Sequence, residues 1–193
     1  MSTGINLAKL KAKAKLKNRY AKQLKRLQDG KIATGCIEAA VDGAVGNLSK
    51  NSPSSLVIYG EPQSGKTEMM ICLTAKLLDA GYTTIVHLMN DSVDLLAQNL
   101  KRFKASGLAP GPMGLSEHLQ SSKNKEHELV VFCKKNSSDL ENLVDGLKGR
   151  SGVVVIDDEA DYATPNSKIN KGGKTPINKW VSDLVGRSAT TLG

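Results

Sequence analysis

Two short stretches combine residue types and spacings suited to chemistry. The first is GEPQSGKT at 60–67, a full match to the pattern GxxxxGK[ST]. Gly60 and Gly65 permit backbone angles closed to other residues and let the chain approach an anion. The loop amides and the N-terminus of the following helix then point at a phosphate. Lys66 offers a positive charge to the β- and γ-phosphates, and Thr67 a hydroxyl to Mg²⁺. The second stretch is VVVIDDEAD at 153–161, which sets acids behind a β-branched apolar run. Ligands of open α/β sheets bind at the carboxyl ends of such strands. Asp158 is placed to hold Mg²⁺, Glu159 to orient and deprotonate a water, and Asp161 to link the metal site to neighbouring loops. An acidic run can also merely cap a helix.

These stretches need strands and helices to carry them. Apolar runs predict strands at 56–59 (LVIY), 83–89, 128–133 and 152–157. Helical spacing predicts helices at 33–48, 66–80, 93–105, 139–148 and 176–187. Asp91 or Ser92 is expected to cap the third of these helices, and Ser138 or Asp139 the fourth. The strands read as continuous apolar runs rather than alternating ones. Together with the alternation of strand and helix, this predicts an α/β protein whose mostly parallel sheet is covered on both faces.

Charge divides the chain differently. The 193 residues carry a net charge of +8, yet residues 1–31 hold ten Lys or Arg against one acid, Asp29. The remainder is close to neutral. The basic segment is rich in helix formers, with Leu16, Tyr20, Leu24 and Leu27 on one face and Gly30 as a stop. It reads either as a solvated helix with one packed stripe or as a contact for phosphate backbone. With 4% aromatic residues, a base-stacking platform is not expected. No apolar run is long enough to span a bilayer, and the N-terminus lacks the apolar stretch of a signal peptide. Cys36, Cys72 and Cys133 are odd in number and far apart, which suggests no disulfide framework and a reducing, cytoplasmic setting. His87, His118 and His127 have no ligand spacing.

DEAD at 158–161, taken with GEPQSGKT, resembles the first RecA-like domain of a superfamily 2 helicase-type ATPase. The stretches DAGYTTIVHL (79–88), LLAQNLKRF (95–103), VVVIDDEADYA (153–163) and TPINKWVSDLV are similar to the Z-one family of helicase-like ATPases, often labelled putative endonucleases. The resemblance covers roughly residues 55–193 and leaves out the basic segment. It implies a three-layer RecA-like P-loop domain at 32–193, preceded by a basic helical arm at 1–31. It also implies ATP contacts from Gly60, Glu61, Pro62, Gln63, Ser64, Gly65, Lys66, Thr67 and Glu68, with Mg²⁺ held by Thr67 and Asp158. Lys66, Asp158 and Glu159 would carry hydrolysis. Gln98, Asn99, Arg102, Lys134 and Lys135, with Asn136 beside them, match segments that in such proteins lie along nucleic acid, DNA being favoured over RNA. Gln98 and Arg102 are equally ordinary exposed helix residues at i, i+4 spacing.

The pattern departs from the family in places. No glutamine motif precedes the phosphate loop; Glu38 stands roughly at its position. Ser188, Ala189 and Thr190 spell a helicase motif without a strand ahead of them. In the family a further strand would begin near Leu192, so the chain is expected to be the ATP-binding front part of a larger motor. A second RecA-like domain would supply that motor's arginine finger. A bacterial or phage restriction or defence system is the setting that the resemblance implies. Two other readings stay open: a P-loop ATPase switch that does not act on nucleic acid, and a non-catalytic DNA- or partner-binding module.

Overall fold

Three long runs of apolar and β-branched residues pair in register to form the sheet. They are β1 (Thr84–Met89), β3 (Leu129–Lys134) and β4 (Val153–Asp157), with a two-residue strand β2 (Met113–Gly114) at one edge. All pairs are parallel, in the order β2-β3-β1-β4, with Val86 facing Val131 on one side and Val155 on the other. The computed structural model describes residues 18–50, 56–59, 65–121, 128–161 and 173–189. The helices are α1 (Arg19–Asp29), α2 (Gly35–Lys50), α3 (Lys66–Asp79), α4 (Val93–Ala105), α5 (Leu115–Gln120), α6 (Ser137–Gly146) and α7 (Pro176–Ala189).

Alternate residues of each strand point to opposite faces, and both faces are buried. Ile85, Met89, Val130, Phe132 and Val154 pack with α1 to α4 in one core. Val86, Leu88, Val131, Cys133 and Val153 pack with α5, α6 and α7 in the other, against which Trp180 also rests. The chain is therefore an α/β protein with three layers, consistent with a RecA-like arrangement. Burial on both faces explains why the strands read as unbroken apolar runs. Among the described residues, no helix is long and apolar enough to cross a membrane.

Two sequence expectations are corrected. LVIY at 56–59 is not a strand: it lies outside the sheet, with Val57 87% and Tyr59 88% exposed. Apolar, β-branched character fits a residue for a pleated surface, but the pairing itself comes from a partner edge. The cap of α6 is Asn136, whose side chain accepts from the Asp139 N–H at 2.8 Å. Separated from β3 by Lys135 alone, it is in extended conformation, so the helix starts at Ser137, earlier than either Ser138 or Asp139 as a cap would allow. Ser92 caps α4, accepting from the Leu95 N–H.

Leu16 and the rest of 1–17 lie outside the described residues. The second half of the basic segment, α1, is built into the body. Leu27 is fully buried, and Tyr20 and Leu24 pack against the same core. Arg19 is buried in an ion pair with Glu128 and lies 3.7 Å from Asp79; Gln23 donates to the Ser106 carbonyl at 3.1 Å. Arg26 pairs with Glu68, so at least two of the segment's cations are held by acids of the body.

His87 lies at the centre of the first core, stacked on Phe132 and edge-on to Phe103. Its Nε2 lies 2.9 Å from the Thr74 hydroxyl, which donates to the Met70 carbonyl at 2.7 Å. The imidazole Nε2 is then the donor to Thr74. Burial pushes its pKa down to about 3. The depressed value means that the unfolded chain takes up a proton first. Stability is therefore full above about pH 6.5 and falls below it. Denaturant titrations of wild type should lose about 1.4 kcal/mol per pH unit more than His87→Gln between about pH 6 and 4. Parallel curves would contradict a neutral buried imidazole.

Candidate functional site

The parallel strands bring their carboxyl ends, Met89, Lys134 and Asp157, to one edge of the sheet. The chain leaving β1 enters α4 on one face, while the chain leaving β4 leads to α7 on the other. Adjacent strands whose connections part in this way leave a crevice between their ends. Asn90 follows β1 into that crevice, and Asp158 and Glu159 follow β4.

The first turn of α3 carries the lysine whose charge acts on Asp158. Gly65 stands at its N-cap with φ +81°, a left-handed angle that a side chain would strain. Gly60, Glu61, Pro62, Gln63 and Ser64 lie outside the described residues. Lys66 opens the helix, exposed. Thr67 is half-buried; its hydroxyl accepts from Arg102 at 3.2 Å and lies 3.5 Å from Asn99 Oδ1. The Glu68 carboxylate is committed to Arg26 on α1. Glu38 accepts from Thr34, within its own helix turn.

The acids are in different states. Burial first, and then the charge of Glu159, push the Asp158 carboxyl above the usual carboxylate range. The ammonium groups of Lys66 and Lys135 pull it back down, so the lysine of the phosphate motif and the acid of the second motif act on each other across the crevice. Glu159 is exposed and sits at φ +55°, a left-handed angle that is uncommon outside glycine. Its carboxylate accepts from the Asn90 side-chain amide at 3.0 Å. Asp161 ends the described turn, exposed.

The five residues expected along nucleic acid are placed unevenly. Gln98 is exposed on α4. Asn99 is buried, with its amide donating to the Leu95 carbonyl, and Arg102 turns to Thr67. Lys134 lies between Asp91 at 3.4 Å and Asp139 at 3.6 Å. Asn136 donates to Asp91 at 3.0 Å, and that bond, more than anything else, holds the Asp91 carboxyl below the usual range. Lys135 is 2% exposed and inside the protein. A one-letter cation in a sequence carries no direction, and here neighbouring acids and carbonyls decide it. Asn90 was missed, although a carboxamide directly after an apolar strand was a signal that could have found it.

The donor chemistry fits a hard divalent cation. A threonine hydroxyl and a carboxylate, with phosphate and water oxygens, are the ligands that Mg²⁺ prefers. A cation would also offset the repulsion from Glu159 that adds to the effect of burial on Asp158. Among the described residues no group of three or more His, Cys, Asp or Glu side chains is arranged to hold a metal by itself. No protein-family model matches the chain, and no similar curated protein and no similar solved structure was found.

Because Lys66 pulls the Asp158 titration down, Lys66→Met should move its midpoint further up. Carbon-detected NMR of the Asp158 carboxyl measures this. An unmoved midpoint would separate the two motifs in space.

Proposed function

We propose that this chain is the nucleotide-binding part of an ATP-hydrolysing motor of superfamily 2 type. The reading is supported by the electrostatic pull of Lys66, at the start of α3, on the Asp158 carboxyl that follows β4. In this reading the amides around Gly65 and the ammonium of Lys66 bind the phosphates. Thr67 and Asp158 hold Mg²⁺, which when bound neutralises charge on the transferring phosphoryl group. Glu159 orients the attacking water and takes its proton. Arg102 must release Thr67 for the hydroxyl to serve the metal. By the same resemblance, an arginine from a second RecA-like domain completes the site, a contribution of about 10³–10⁵ in rate for such fingers. A cytoplasmic setting belongs to the same proposal.

The nucleic-acid part of the reading rests on the resemblance and on the excess of Lys and Arg in residues 1–31. A second reading, a P-loop switch that does not act on nucleic acid, gains from one observation. Asn99, Arg102, Lys134 and Lys135 each already have a polar partner in the protein.

Calorimetry with Mg²⁺ and ATP should give heat with wild type and Glu159→Gln, and little with Lys66→Ala. Turnover, measured with duplex DNA, single strands and RNA on the protein joined to its second domain, should fall by about 10²-fold or more in Glu159→Gln. Turnover indifferent to every polymer would favour the switch. Absence of heat with every nucleoside triphosphate would remove both readings.

A further inference from the structure

Lys135 has a side chain with no exposed surface, and its ammonium sits among oxygens of a strand that is not its neighbour. Its Nζ donates to the carbonyls of Asp158 at 2.8 Å and Glu159 at 2.7 Å, and lies 3.0 Å from Asp157 Oδ1. In the sheet, β1 stands between β3, which leads into Lys135, and β4, which leads into the acids. At about 4.8 Å per strand the two ends are roughly 10 Å apart. The gap is closed from both sides. The Lys135 N–H donates to the Met89 carbonyl at 2.8 Å, and the Asp158 N–H to the Leu88 carbonyl at 2.9 Å. The lysine side chain then spans what remains, over the end of β1. A compact ammonium with three rotatable donors suits oxygens gathered around one point better than a planar guanidinium does.

We propose that Lys135 is a positioning residue: its buried ammonium ties the acid-bearing turn to the end of β3 and fixes where Asp158 and Glu159 stand. The turn needs such a tie, because Glu159 adopts a left-handed angle that an L-residue holds only when its surroundings impose it. The two carbonyls that Lys135 grips belong to the peptide units on either side of the Glu159 Cα and so fix the backbone orientation there. The acids could then meet a cation and a water without reorganising. This deepens the nucleotide reading and rests on it for its functional consequence, but not for the clamp itself.

The test compares wild type, Lys135→Met and Asp157→Asn. Lys135→Met keeps the length of the side chain and removes the donors; Asp157→Asn removes one charged oxygen and leaves both carbonyl contacts. Native-state hydrogen exchange should show the Asp158 amide exchanging about tenfold faster or more in Lys135→Met, with Val86 and Val131 little changed. In calorimetry, the gain in ATP affinity on adding Mg²⁺ should shrink about tenfold in Lys135→Met, with metal-free affinity retained. Asp157→Asn should keep most of that gain. Should Lys135→Met not fold, Lys135→Arg keeps the buried charge and alters only the fit, and smaller changes of the same kind are expected. An unchanged Asp158 amide, an acceleration spread evenly over the sheet, or an intact Mg²⁺ gain would each overturn the proposal. If wild type shows no Mg²⁺ gain at all, the nucleotide reading has failed, and the exchange comparison alone decides the clamp.

Discussion

A parallel sheet sealed on both faces has room for polar chemistry only at its ends. In this protein the strands carry apolar side chains into two cores, and even the one histidine among them is held neutral by burial. Acids, amides and lysines therefore collect at the carboxyl edge. Parting of the connections after β1 and β4 opens that edge into a crevice. The positions of Asn90, Asp158 and Glu159 follow from this constraint.

Charge balance at the crevice is the next level of the same argument. Asp157, Asp158 and Glu159 follow one another, and three carboxylates in a partly buried turn repel. Lys66 from one side and Lys135 from beneath offset that repulsion. The two lysines differ in kind. Lys66 is exposed and free to meet an anion, whereas Lys135 is sealed in and bound to backbone oxygens. Removing one partner of a buried ion pair typically costs about 3–5 kcal/mol, so the inner lysine also contributes to holding the edge together.

Much of this was legible in the sequence, for identifiable reasons. Continuous apolar runs gave away β1, β3 and β4, because burial on both faces leaves no polar residue to interrupt them. The helices α3, α4 and α7 followed from spacing. What failed was whatever depended on direction or partner. LVIY had the composition of a strand, but composition does not supply a neighbouring edge. Lys135 and Asn99 had the composition of a polar surface, yet one is sealed under the acid turn and the other is buried beside Thr67. The packed stripe expected of the basic segment is present at Tyr20, Leu24 and Leu27, but the partners of Arg19 and Gln23, up to about a hundred residues away, could not be read from it.

Paramagnetic NMR with Mn²⁺ in place of Mg²⁺ addresses the central claim most directly. With ATP present, signals of Thr67 and of Asp158 and Glu159 should broaden together, and should stay sharp when either ATP or the metal is omitted. Broadening at only one of the two elements, or broadening without nucleotide, would contradict a shared phosphate and metal site at this edge.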